Sequence, residues 1–420
     1  MLSINEIAKQ TNMSIKFIRR EVANGNLQST KKHSKYCISR LDFENWKETP
    51  QIIKNTKSKS KSVKDTVHWL DIAEQMQNVD TWVNQCKSSS YNMIDLFSGA
   101  GGLSCGLMMA GFTPIASAEI LDSAIDTYKY NICTKLGTKQ HFMVRDIRDL
   151  NTKNNLINYA KNHHIHLIAG GFPCQGFSMA GNRIVDDKRN TLYVEMLDIV
   201  KQVQPDFILM ENVEGLRSML KGEVERKIIR DYANIGYKIN VTTLCAADYG
   251  VPQLRKRVIF IGNGLHKKNY HPKPIYDKYS YKTVKDGIER FLLLDENKAI
   301  NHEFTKHSSS IVERLKKLQE GQSLYENYSD AWKRVYWDKP SITVKENHGG
   351  VNVHPLLPRV MTPRELAALQ SFPDDFIFQG SKKWQLVQIG NAVPPLLAKA
   401  VGLAIIEAIK KKECANECLF

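Results

Sequence analysis

From Met93 onward, short apolar runs alternate with longer amphipathic stretches. The runs are Met93–Leu96, Ile115–Ala118, Phe142–Val144, Leu167–Ala169, Phe207–Met210, Ile239–Cys245 and Val258–Ile261. Runs this short and this apolar read as strands covered on both faces, and stretches such as "TLYVEMLDIVKQVQ" read as the helices that cover them. The pattern predicts βαβ units around a largely parallel sheet, a doubly wound α/β fold of seven strands. In such sheets ligands bind beyond the C-terminal strand ends, so the residues that follow each run are the ones to inspect.

The alternation does not fill the chain. Residues 1–50 read as a separate module. Ser3 and Glu6 form a capping-box pattern that opens a short helix, a "TNMS" turn precedes a second helix, and a basic wing and a last helix, "LDFENWKE", follow. That order resembles winged helix-turn-helix modules of the excisionase type, with Lys16, Arg19 and Arg20 on the second helix as a DNA-facing set. Residues 51–90 read as a basic linker, "NTKSKSKSVKD", and a connecting helix. The catalytic pattern covers 91–262, is lost over 263–360, which reads as an inserted lobe, and returns over 361–420 to complete the first domain.

Residues 1–65 hold 14 Lys and Arg against 6 Asp and Glu, over half of the chain's net charge of +15. That excess points to a polyanionic partner, nucleic acid before membrane. The opening "MLSINEIAKQ" lacks a secretory pattern and no apolar run approaches the roughly 18–20 residues of a membrane span, so the expected location is the cytoplasm. Eight cysteines without a CxxC pair read as free thiols, and no metal site is expected.

The first strand leads into "FSGAGGLSCG". Gly99, Gly101 and Gly102 let the backbone approach a ligand and leave helix N–H groups free. Glu119 ends the second run, placed for ribose hydroxyls, and Asp146 ends the third, placed for an adenine amino group. The absence of GxGK[ST] argues against a nucleoside triphosphate. The fourth run ends in "GGFPCQGFSMAG", which puts Cys174 in a Gly-rich turn behind Pro173, outside the apolar run where a structural cysteine would sit. Arginines and a helix start nearby favour the thiolate. Glu211 follows an apolar run, where desolvation favours the neutral acid able to share a proton, and an ion pair is the alternative. Gln253, Arg255 and Arg257 are expected to alternate on one face of a strand.

A thiolate, an acid, arginines and an adenosine-type cofactor on four strand ends suit methylation of a pyrimidine at C5. Addition of sulfur to C6, with an acid at N3, makes the ring enamine-like, so that C5 can attack a methyl sulfonium.

Phe97-Ser-Gly-Ala-Gly-Gly102, Pro173-Cys-Gln175, Glu211-Asn-Val213, Gln253-Leu-Arg-Lys-Arg257, "RELAALQSFPDDF" and Gly390-Asn-Ala-Val-Pro-Pro395 occur in the order of the motifs of DNA cytosine-5 methyltransferases. The chain resembles that family from Met93 to about Ile409. The resemblance implies the methyltransferase form of the Rossmann-like fold, a target-recognition insert and S-adenosyl-L-methionine as cofactor. It also implies that Cys174 is the nucleophile, with Glu211 at the cytosine N3 and amino group, Arg257 near O2 and Arg255 supporting the pocket. The cofactor is expected against Phe97, Gly99, Gly101, Glu119, Asp146, Ile147, Pro173 and Asn391.

Base chemistry of this kind requires the cytosine to leave the duplex, and the segment 178–190, with Ser178, Arg183, Lys188 and Arg189, reads as the lid that closes over it. Double-stranded DNA is the expected substrate. Gln253, together with Lys345, Asn347, His348 and Asn352 in "PSITVKENHGGVNVHP", is the expected reading set. A restriction endonuclease acting on the same site, and operator DNA for the N-terminal module, are the further partners implied. Two other readings stand beside this one: a tRNA cytosine-5 methyltransferase, and a DNA-binding regulator whose methyltransferase domain is inactive.

Overall fold

The computed structural model describes residues 2–11, 15–23, 26–32, 35–47, 67–76, 91–134, 137, 141–173, 191–265, 267–325, 332–346 and 352–411. The chain divides into two compact units, Met1–Thr66 and Val67–Phe420.

In the smaller unit, helices Ile4–Thr11 and Ile15–Ala23 precede strands Thr30–Lys32 and Lys35–Ile38 and helix Arg40–Lys47. Leu2–Ser3 adds a third antiparallel strand against Cys37–Ile38. The capping box forms: Ser3 N donates to Glu6 Oε2 at 2.7 Å and Glu6 N to Ser3 Oγ at 3.3 Å. Ile7, Ile18, Ile38, Phe43 and Trp46 make its core.

The larger unit is built on a seven-stranded sheet. We number its strands β1 (Tyr91–Leu96), β2 (Phe112–Ala118), β3 (Phe142–Val144), β4 (Leu167–Gly170), β5 (Phe207–Val213), β6 (Lys238–Cys245) and β7 (Lys256–Asn263). The spatial order is β6-β7-β5-β4-β1-β2-β3. All neighbours pair in parallel except β7, which is antiparallel to both β5 and β6. Each expected run is a strand, and the reversed β7 follows from the short turn after β6, which leaves no room for a crossover helix.

Alternation within the strands explains the three layers. In β5, Phe207 and Leu209 enter one core, while Ile208 and Met210 enter the core on the opposite face. In β7, Ile259 and Ile261 face the first core and Val258 and Phe260 the second. Helices Leu150–Lys161, Thr191–Val203 and Glu223–Ala233 cover the second face. Helices Gly102–Ala110 and Pro395–Lys410 cover the first, and they touch closely at two glycines. A Cβ on Gly106 would meet Pro395 O at 2.1 Å, and one on Gly402 would meet Ala110 Cβ at 2.7 Å. The long apolar C-terminal helix is thereby a core helix, with 11 of its 16 residues buried.

Between β7 and residue 362 the described residues form one short strand, Tyr270–Pro272, with short helices and isolated bridges. Much of it packs on the main core through Val284, Ile288, Phe291, Val335 and Val344, and a small core of its own holds Leu315, Leu324, Val353 and Val360. Part of the expected linker is integrated as well, because strand His68–Leu70 pairs in parallel with Tyr270–Pro272.

Candidate active site

A cleft of about 740 Å³ opens at the C-terminal edge of the parallel strands. Phe97, Gly99, Glu119, Pro173 and Asn391 line it, and so do Glu211, Arg255, Arg257 and Lys345. The turn after β1 carries it. Phe97 takes a left-handed backbone at φ 60°, and Gly99 follows at φ 53° with open space where a side chain would stand. Gly102 serves a different end: a Cβ there would meet Val393 O at 2.6 Å, so the missing side chain lets the C-terminal return reach the turn and bring Asn391 into the cleft.

Glu119 is held across this turn. Its Oε2 accepts from Gly99 N at 2.8 Å, and its Oε1 from Ile120 N and Leu121 N at 2.9 and 2.8 Å. Three of a carboxylate's roughly four acceptor sites are thus taken, which leaves one for a ribose hydroxyl rather than two. Behind the turn, Asp95 is fully buried and accepts from Ser104 Oγ at 2.6 Å, while Ser104 also meets Tyr128 Oη at 2.9 Å. Asp95 Oδ1 has no hydrogen-bond partner among the described residues, and burial pushes this carboxyl up to about 7.

At the next pair of strand ends, Arg257 Nε lies 2.7 Å from Glu211 Oε1, with each side chain only 12% exposed. Glu211 faces the turn before Cys174, since a Cβ on Gly171 would meet its Oε2 at 3.1 Å. Asn212 fixes that turn by donating from Nδ2 to Phe172 O at 2.9 Å while its Oδ1 accepts from Val213 N at 2.9 Å. Asn212 escaped the sequence reading, although its place beside Glu211 at a strand end was a signal. Cys174 lies outside the described residues, as do Ser178, Arg183, Lys188, Arg189, Asn347 and His348. The side chains of Lys16 and Arg20 lie outside them too, and Arg19 is exposed.

Several expected site residues stand elsewhere than expected. Gln253 is fully buried, with its Nε2 donating to Leu369 O and Gln370 Oε1 and its Oε1 accepting from Val344 N, so it has no group free for DNA. Residues 253–255 precede β7 rather than lie on it, and Arg255 turns inward to the carbonyls of Val344, Gly390 and Ala392. Burial, with Arg257 nearby, pushes its guanidinium down to about 9. Gly101, at φ 93°, packs on Ile132 and Tyr128 instead of the cleft. Ile147 is a core side chain, and Asp146 is clasped by Arg148, whose Nε and Nη2 reach its two oxygens at 2.8 and 2.6 Å. Neither is part of the cleft lining. Asn352 is buried against Ser341.

His164, His166 and Asp206 come together at the opposite ends of β4 and β5. His166 Nδ1 accepts from Asn92 N at 3.1 Å, which leaves the proton of the neutral ring on Nε2 and removes the lone pair a metal would need there.

The model of the C-5 cytosine-specific DNA methylase family matches residues 91–407, so the chain belongs to that family. A type II methyltransferase of Haemophilus parahaemolyticus, M1.HphI, is 40% identical over 337 residues, which is 77% of this chain and 88% of that protein. M.DdeI of Desulfomicrobium norvegicum, also a type II methyltransferase, is 33% identical across 74% of this chain and 87% of its own length. Among solved structures, a candidate DNA modification methyltransferase encoded within an E. coli prophage superposes with a TM-score of 0.64 at 29% identity, covering 77% of this chain and 100% of that one. Spodoptera frugiperda DNMT2, at 18% identity and a TM-score of 0.55, shares the fold. The chain is therefore a DNA cytosine-5 methyltransferase, its methyl donor is S-adenosyl-L-methionine and its substrate is double-stranded DNA.

Proposed function

We propose that the chain methylates C5 of a flipped-out cytosine, within a specific duplex sequence, through a transient bond between Cys174 Sγ and C6. The observation that carries this reading is the Glu211–Arg257 pair at 2.7 Å, set against Gly171 in the turn that precedes Cys174 in the sequence. Bound S-adenosylmethionine supplies an electrophilic methyl group. The cleft suits it: Glu119 keeps one acceptor site for a ribose hydroxyl, Gly99 leaves space beside the turn, and Phe97, Pro173 and Asn391 close the walls.

The chain's own residues do the rest. Cys174 thiolate adds to C6, and the ring electrons move toward N3, where Glu211 shares a proton. Cytosine N3 brings no proton of its own, so Glu211, held 2.7 Å from Arg257, relays to it one drawn from solvent. Once C5 carries the methyl group, loss of the C5 proton to a base expels the thiolate and restores the aromatic ring, and N3 gives its proton back. Arg257 holds Glu211 in place and faces O2.

Residues 340–355 are proposed to read the DNA, and 178–190 to close over the flipped base. The helix pair and hairpin of residues 1–50, with exposed Arg19, fit a winged helix-turn-helix that binds operator DNA. The type II designation of the relatives supports a role opposite a restriction endonuclease of the same site.

Transfer of labelled methyl groups to duplex DNA and to tRNA tests the reading. Duplex DNA is expected to be labelled and tRNA left unlabelled, and Cys174→Ala is expected to abolish transfer while retaining cofactor binding. Preferential labelling of tRNA, or full activity of Cys174→Ala, would sink it.

A further inference from the structure

Arg255 and Gln253 belong to one motif, yet neither side chain is used as a surface reader would be. We infer that they are positioning residues that fix the root of the DNA-reading segment, Ser341–Glu346, to the turn Gly390–Ala392 that carries Asn391, and thereby set the selectivity of the enzyme among DNA sequences. The inference rests on the proposed reading of residues 340–355 as the part that faces DNA.

The root has no helix and only an isolated bridge at Ser341 to hold it. That bridge, to Gln253, is part of a wider stitch to residues 252–255. Ser341 N donates to Pro252 O at 2.9 Å, Leu254 N to Ser341 O at 2.8 Å and Thr343 Oγ1 to Leu254 O at 2.9 Å. Val344 then has both backbone polar groups taken by the motif's side chains. Its N–H donates to Gln253 Oε1 at 2.8 Å, and its carbonyl accepts from Arg255 Nη1 at 2.8 Å.

The same guanidinium turns its other end to the cofactor side, where Nη2 donates to Gly390 O at 2.9 Å and Ala392 O at 3.0 Å. Gln253 adds a second tie, because its Nε2 donates to Gln370 Oε1 at 3.0 Å and Gln370 Nε2 donates to Ile389 O at 2.8 Å. The two segments also touch directly: a Cβ on Gly390 would meet Glu346 N at 2.3 Å.

A buried planar fork with carbonyls on both sides has little freedom, since each lost bond would leave an unsatisfied polar group. Lys345 and Glu346, the next residues out, line the cleft beside Glu211. A shift of Val344 therefore moves the reading segment relative to the base pocket. Asn391 stands on the same seam, so loosening it is expected to change sequence choice as well as the rate of methyl transfer, and the choice is read at matched incorporation.

The test compares the full-length protein with Arg255→Lys, whose ammonium lacks the planar fork, and Gln253→Met. Plasmid DNA is methylated in vitro to equal total incorporation and bisulfite-sequenced. The share of modified cytosines outside the unmodified enzyme's sequence context is expected to rise about tenfold, the size of effect that one mismatched base pair normally controls. A merely structural loss would reduce the amount of active enzyme and leave the contexts unchanged, which would overturn the inference.

If both buried changes cause aggregation, Thr343→Val on the half-buried edge of the seam decides the matter by the same readout. Lys345→Ala separates positioning from reading. Altered contexts in Lys345→Ala with unchanged contexts in Arg255→Lys would remove only the positioning role. Unchanged DNA affinity and contexts in Lys345→Ala would remove the reading of 340–355 beneath it.

Discussion

The sheet, residues 91–263, and the stretch from 264 to 362 satisfy their buried backbone groups in different ways. In the sheet, ladders do so, and the registers of β4, β5 and β7 place Gly171, Glu211 and Arg257 at one edge. In the second stretch, side chains take over the work of ladders. Arg334 Nη1 binds the carbonyls of His354 and Pro355 and its Nη2 that of Leu315, which joins a helix to a distant loop. Asn301 pairs with Phe378 through both the carbonyl and the N–H, as a strand residue would. A ladder fixes register over many residues at once, whereas a clamp fixes one point. Catalysis needs the first kind of order. A segment proposed to read DNA gains from the second, because the chain between clamps can change without disturbing its neighbours.

Substitutions can break this contrast in graded ways. Glu211→Gln keeps the shape of the strand end but removes the acid, and kcat is expected to fall by about 10²–10⁴ with cofactor affinity retained, as single-turnover kinetics and calorimetry would show. Ile168→Ala, fully buried in β4, is expected to cost about 3 kcal/mol and to lower protection against hydrogen exchange across the whole sheet. Arg334→Met should cost a similar amount, about 2–3 kcal/mol for carbonyls left without donors, yet raise exchange only over residues 309–360. Equal spread of the two exchange patterns would erase the distinction between ladder and clamp.

Asp95 offers a smaller probe of the sheet side. Its folded carboxyl sits at about 7 against an ordinary 3.8, so between those values the folded protein keeps a proton that the unfolded chain has lost. Stability from this group therefore falls as pH rises from about 4 to about 7 and is flat above. Asp95→Asn lacks that loss, so its Tm should draw ahead of the parent's across this interval and hold a constant lead beyond it. Smallest of all, Thr362→Ala removes one half of the capping box with Glu365 and should cost about 1 kcal/mol by denaturant titration.

The sheet was legible because strands buried on both faces leave unbroken apolar runs, and all seven appear where those runs stand. Much of the cleft was legible too, since Phe97, Gly99, Glu119 and Glu211 each end or follow a strand and Arg257 begins one. Gln253 was misread because two-residue spacing from Arg255 and Arg257 suggests one exposed face, while the chain there is an inward turn whose polar atoms meet partners about 90 to 120 residues away. The clasp on Asp146 was not legible because an arginine two positions on is invisible as a partner until the loop is folded. Asn212 was passed over because a side chain that holds a neighbouring turn leaves no periodic signal.

The proposed sulfur–carbon bond at the centre of the mechanism can be observed directly. Duplex DNA carrying 5-fluorocytosine at the methylated position, incubated with the protein and S-adenosylmethionine, blocks release because the methylated C5 then bears fluorine in place of the proton that must leave. A denaturation-resistant complex of one protein with one DNA, present for the parent and for Asn212 and Arg255 variants that retain activity, and absent for Cys174→Ala, is the expected result. A complex that forms equally well without the residue-174 thiol, or none with an enzyme active on ordinary DNA, would contradict the mechanism.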